Sequence, residues 1–279
     1  MADEADPPRV DTSMFMFEFR LLPQQSCAGV VADRLAIGKW KIVCVGDLLQ
    51  LSTLQHNTGF DALLAEAQGV AAAVVDAHAY LGYPGNQALD LEPQTWHEIF
   101  NTPERGAMLG RLYPASSSSR ARNEEASGLL RRCVEFLGIG HVANHLAPAL
   151  ADFRIARKEL GIYSAFYSFR VLEDVAYAFG SRGATRPAWK RMNEALGTSE
   201  LDWKPLTGAG VEARHLRPEL SRGITDAKRQ KLLDLAKRCI DLYGDYLAST
   251  GPPIPKKRPR LLLRPVPGVG PKLDATESS

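Results

Sequence analysis

The chain has few cysteines, no long apolar run and no glycine-rich phosphate loop, and each absence removes a class of function. Its four cysteines, at positions 27, 44, 133 and 239, lack the paired spacing of a zinc site. The apolar neighbours of Cys44 and Cys239 point to buried, reduced thiols and away from a disulfide framework. No stretch approaches the roughly 20 apolar residues that a membrane span needs. The acidic start, Met1-Ala-Asp-Glu-Ala-Asp-Pro-Pro, has neither the basic nor the apolar region of a secretory signal, so a cytoplasmic protein is expected. No glycine-rich run precedes a Lys-Ser or Lys-Thr pair, and no serine sits in a glycine-flanked turn, which sets aside phosphate-loop and serine-hydrolase chemistry. His141 and His145 stand four apart, but no Glu follows His141 and no third ligand lies at a matching interval. No metal site and no cofactor are therefore expected. Asp76 and His78, among alanines, read as the polar rim of a helix.

What is present is the composition of a packed protein, 45% hydrophobic and 24% charged over 279 residues, enough for one large domain or two ordinary ones. The net charge of +2 hides a split. Residues 1–150 carry 11 Lys/Arg against 17 Asp/Glu, a net of −6, and residues 151–279 carry 23 against 15, a net of +8. Two units are expected, with any polyanion contact in the second or with its cations merely solvated.

Hydropathy patterns agree with two units. Phe15, Phe17, Phe19 and Leu21 alternate with Glu18 and Arg20, the period of a half-buried strand. Gly29 to Ile37, Trp40 to Val45 and Leu48 to Leu54 predict three more strands of a short antiparallel meander. Asn57 or Thr58 then caps a helix whose apolar stripe runs through Phe60, Leu63, Leu64, Ala67, Ala71 and Val74, ending at Gly82-Tyr-Pro-Gly85. The serine-rich stretch after Pro114 reads as a linker. Beyond it, helices are predicted from Glu124 to Gly138, Pro148 to Glu159, Ile162 to Phe179, Pro187 to Leu196 and Thr225 to Leu247. The expected fold class is α+β: a disordered start at 1–12, a small N-terminal domain of antiparallel strands plus one helix at 13–113, a linker at 114–123, an α-helical bundle at 124–249, and a disordered, basic, proline-rich tail at 250–279. Lys256, Lys257, Arg258 and Arg260 make that tail either a solvated segment or a contact for nucleic acid or an acidic partner.

The candidate chemistry lies in the helical half. Arg170 and Glu173 are three apart on one predicted helix and can orient each other. The polar loop Val211-Glu-Ala-Arg214-His215 adds a cation and a titratable imidazole. In RNA cleavage an imidazole moves a proton while an arginine holds the phosphate, with no metal required.

Phe169-Arg170-Val-Leu-Glu173-Asp on a helix, Trp189-Lys-Arg-Met-Asn-Glu-Ala-Leu196 on a short helix, and Ala213-Arg214-His215 ahead of a long helix ending Leu242-Tyr243-Gly-Asp-Tyr246-Leu247 together resemble HEPN-like helical domains over roughly residues 125–249. Such domains occur in prokaryotic toxin and antiphage systems, some with a separate β-rich N-terminal domain. RNA-cleaving members carry an Arg followed, after four to six residues, by a His; no histidine here has an Arg at that distance upstream, and Arg214 and His215 are adjacent instead. The resemblance thus implies a noncatalytic component that binds RNA, single-stranded nucleic acid or a protein partner, including a homodimer through the bundle, in bacterial stress or antiphage defence. The alternative is a metal-independent endoribonuclease with a variant site at Arg214 and His215. Under the binding reading, Arg170, Glu173, Lys256, Lys257, Arg258 and Arg260 carry the contacts.

Overall fold

Alternation along the first strand decides the N-terminal architecture. In the computed structural model, which describes residues 13–22, 36–45, 47–55, 59–100, 120–180, 185–214 and 224–250, β1 runs Ser13–Leu22 with Phe17, Phe19 and Leu21 buried on one face. It lies inside a five-stranded antiparallel sheet with β2 (Ala36–Ile37), β3 (Trp40–Val45), β4 (Leu48–Gln55) and β5 (Asp90–Phe100), in the order β2-β3-β4-β1-β5. Register brings Phe17 opposite Leu51 and Phe19 opposite Leu49, so both strands point their large side chains to the same side. There α1 (Phe60–Leu81) lays Leu63, Ala67, Ala71 and Val74 on the sheet, and its alanines allow close approach. The expected caps Asn57 and Thr58, and residues 29–35 of the second expected strand, lie outside the described residues; α1 starts after Gly59.

The fifth strand is an addition to the sequence reading. Asp90-Leu-Glu-Pro-Gln-Thr-Trp96 shows little strand pattern, and it needs little, because β5 is an edge with β1 as its neighbour. Pro93 has no N–H to give to a ladder, which an edge strand tolerates, and the register shifts beside it between Glu18 and Phe19.

The helical region follows as α2 (Arg120–Gly138), α3 (Gly140–Lys158), α4 (Gly161–Ala178), α5 (Arg186–Leu196), α6 (Glu200–Arg214) and α7 (Asp226–Thr250). The expected linker meets this directly: residues 120–123 are helical, and 114–119 lie outside the described residues. Leu129, Leu130, Cys133, Val134 and Leu137 of α2 join the core beneath the sheet, so the first helix expected in the bundle belongs instead largely to the N-terminal core. A second core gathers Leu146, Phe153, Val171, Leu172, Trp203, Tyr243 and Leu247 from α3, α4, α6 and α7.

Two predicted boundaries shift. The α3 helix starts at Gly140, leaving Pro148 inside it. The proline deprives the carbonyl of Asn144 of its helical donor, at a position exposed to solvent that can replace it. Val211 to Arg214, read as a polar loop, form the last turn of α6, a helix absent from those expected from the sequence. Just before that turn, a Cβ at Gly210 would sit 2.2 Å from Cγ of Phe169, so α6 and α4 touch where glycine leaves room. Pro187 near the start of α5 and left-handed Gly197 at its end (φ 63°) match the sequence reading.

Candidate functional site

The outward side of α4 is where the sequence-predicted residues meet. Tyr163, Tyr167, Arg170, Asp174 and Tyr177 recur at alternating steps of four and three along this helix, which packs its other faces on α3, α6 and α7. Tyr163 and Tyr177 are 55% and 46% exposed, large aromatic surface left in solvent.

Arg170 and Glu173 do not pair with each other. Arg170 Nε donates to Asp152 Oδ2 of α3 at 3.1 Å, and its Nη2 lies 3.9 Å from Asp174 Oδ1 one turn along. Glu173 instead accepts from Arg214 at the end of α6. The Arg214 guanidinium also lies 4.9 Å from the centre of the Phe169 ring, which stacks on Trp189 of α5 at 6.4 Å. Two arginines and three carboxylates thus bolt α3, α4 and α6 together. Burial works to lower the Arg170 guanidinium, but the carboxylates of Asp152 and Asp174 outweigh it and hold it above its usual range. Burial, reinforced by the Asp152 carboxylate, pushes Asp174 well up. Asp174 Oδ2 is buried without a hydrogen-bond partner among the described residues.

Such an arrangement holds helices and carries no surplus positive charge for a phosphate. His215, Lys256, Lys257, Arg258 and Arg260 lie outside the described residues, so the structure brings Arg170, Glu173 and Arg214 together and does not bear on the other five. Asp152 was missed by sequence reasoning; it comes from another helix, and only Asp174, four residues from Arg170, left a trace in the spacing.

A second charged cluster joins the two cores. Asp76 and His78, expected on a polar rim, are both buried against α3. Arg154 donates from Nε to Asp76 and from Nη1 to Asp90, each at 2.6 Å, and Lys158 adds a further pair to Asp90. Arg157 donates to the carbonyls of Ala79 and Asn86 and lies 5.1 Å from the centre of the Tyr83 ring. Burial pushes the Asp76 carboxyl up to about 6 despite Arg154, and burial, aided by the Arg157 charge, pulls His78 down to about 4. Their place among the alanines of α1 marked both residues only as a polar rim; the helix that supplies Arg154 and Arg157, α3, is not legible locally.

Among the described residues, no group of three or more His, Cys, Asp or Glu is placed to hold a metal ion, and no helix is long and apolar enough to cross a membrane. Cys44, Cys133 and Cys239 are buried thiols, as the apolar neighbours of Cys44 and Cys239 predicted for those two, with burial holding Cys133 up at about 12.

Comparison with known families gives one match. A family described as "Domain of unknown function (DUF8168) C-terminal domain" matches residues 135–248, from the last turn of α2 almost to the end of α7. The match therefore spans the helices that build the second core and omits the sheet. No curated protein and no solved structure matches the chain.

Proposed function

We propose that this chain is a noncatalytic assembly component that pairs with a second copy of itself through the outward stripe of α4. The observation that carries the proposal is the symmetry of the stripe about Arg170. Tyr163 and Tyr177 each lie seven residues from it, about 10.5 Å along the axis in either direction and on nearly the same face. A two-fold interface requires a self-complementary patch. Antiparallel α4 helices centred on Arg170 set Tyr163 of one copy beside Tyr177 of the other. Sedimentation across a concentration series tests this. A dimer that becomes monomeric in Tyr163→Glu/Tyr177→Glu, with helical circular dichroism unchanged, is expected; a wild-type monomer at every concentration overturns it.

A second reading, nucleic-acid binding, has separate support in the charge distribution. From residue 151 on, the described residues carry 14 Lys/Arg against 12 Asp/Glu, a net of only +2 out of +8. That reading therefore rests on the residues outside, chiefly Lys256, Lys257, Arg258 and Arg260, and predicts RNA binding that weakens steeply with salt. The same assay with and without chelator separates binding from the ribonuclease alternative: intact RNA fits the noncatalytic proposal, whereas metal-independent cleavage lost in His215→Ala defeats it. A bacterial stress or antiphage setting belongs to this proposal and rests on the HEPN resemblance alone.

A further inference from the structure

A cleft of about 570 Å³ opens where the end of α2 and the start of α3 meet the end of α7. Phe136, Ile139, Val142 and Leu146 form an apolar wall, with Ile139 52% exposed at its edge, and Asp241 and Asp245 of α7 stand on the opposite side. Asp241 accepts from Tyr80 at 2.6 Å and from Lys237 at 2.9 Å, while Asp245 is exposed and makes no ion pair among the described residues. The last turn of α7 has no basic residue, and the Ser249 and Thr250 hydroxyls both donate to the one carbonyl of Tyr246. Asp241 is thus already met by Lys237 and Tyr80, and the negative end of the helix with the Asp245 carboxylate faces one side of an apolar slot. That combination selects an occupant with an apolar side chain followed by cations.

The chain itself supplies one directly beyond α7, in Gly251-Pro-Pro-Ile254-Pro-Lys256-Lys257-Arg258. We propose that the cleft is the docking site for this segment, with Ile254 against Phe136 and Val142 and with Lys256 and Lys257 facing Asp241 and Asp245. The reach suffices. Asp245 lies five residues before Thr250, about 7.5 Å of helix, and six residues of proline-rich chain from Thr250 to Lys256 extend about 19 Å. Prolines at 252 and 253 prevent α7 from continuing, and Gly251 offers the reversal. Tethering gives the segment a local concentration on the order of millimolar, so a modest affinity is enough to favour it over a free basic peptide.

Limited trypsin digestion of the full chain tests the assignment, reading initial cleavage after Lys256 and Lys257 against cleavage after Lys272 as an internal control. Asp245→Lys and, separately, Ile139→Asp, both at exposed positions, are expected to accelerate the first two cleavages at least about threefold while leaving Lys272 unchanged. Asp245→Glu is expected to retain protection, and high salt to remove much of it. Equal rates in wild type and both variants overturn the proposal. So does protection that grows with protein concentration, which assigns the cleft to another copy's tail, or protection lost on adding a partner-derived basic peptide at concentrations far below millimolar.

Discussion

Asp76 of α1 and Arg154 of α3, 78 residues apart in the chain, meet at 2.6 Å with side chains only 11% and 14% exposed. A carboxylate on the helix that covers the sheet is thus neutralised by a cation from the helical region, and the two cores are joined through it. Arg154→Met leaves that carboxylate buried and alone, which costs about 3 to 5 kcal/mol. Urea unfolding should show a loss of this size, and Arg154→Met combined with Asp76→Asn should recover much of it. A single-variant loss below about 1 kcal/mol would remove the pair from the list of what joins the cores.

The same junction sets a pH response with two opposing parts. Asp76 titrates near 6 in the folded chain, above the ordinary carboxylate value of 3.8, so the folded state holds its proton more tightly. Its contribution to stability therefore grows as pH falls from above 6 towards 4 and is lost as pH rises through 6. Asp76→Asn should abolish that part, changing the stability difference from wild type by on the order of 2 kcal/mol between pH 7 and pH 4. Unfolding curves at half-unit intervals of pH would reveal it, and a constant difference would contradict it.

His78 works in the other direction. Folded, it titrates near 4, below its ordinary 6.5, so the unfolded chain takes up a proton first as pH falls. The stability it contributes is complete above 6.5 and is lost progressively down to about 4. Nδ1 is buried without a partner among the described residues, so an apolar replacement leaves no orphaned acceptor. His78→Leu should flatten this part of the acid limb.

Two glycines two residues apart, on opposite sides of α6, should respond oppositely to alanine. At Gly210 the new Cβ meets Phe169 at 2.2 Å, and at Gly208 it meets nothing within 4 Å. Gly210→Ala is expected to destabilise by about 1 to 3 kcal/mol through overpacking, and Gly208→Ala to stabilise by roughly 0.5 to 1 kcal/mol through helix propensity. Thermal melts of the pair decide the matter, and equal shifts would mean that α6 and α4 are not in contact there.

Arg214 is 48% exposed, and its pairing with Glu173 and its place over Phe169 are those of a surface clamp. Arg214→Ala should change stability by no more than about 1 kcal/mol. It should leave RNA as intact as the wild type does, read on the same gel.

Local pattern determined a good deal here. The alternation of Phe17, Phe19 and Leu21 sets β1 and its buried face, because side-chain direction in a strand follows from backbone period alone. Pro187 and Gly197 bracket α5 for equally local reasons. Composition placed the thiols of Cys44 and Cys239 in apolar surroundings. The sequence also placed Arg170 and Glu173 on one helix, since a spacing of three within one apolar-periodic segment suffices for that.

Tertiary structure decided the partners. Arg170 turns to Asp152 and Glu173 to Arg214 because α3 and α6 flank α4, and neighbouring helices deliver charges that no spacing within α4 encodes. Asp76 and His78 are buried because α3 covers the side of α1 that the sheet leaves open. Leu129 and Cys133 of α2 go under the sheet for the same kind of reason: an apolar stripe states that a surface will be covered, and only the packed chain states by what.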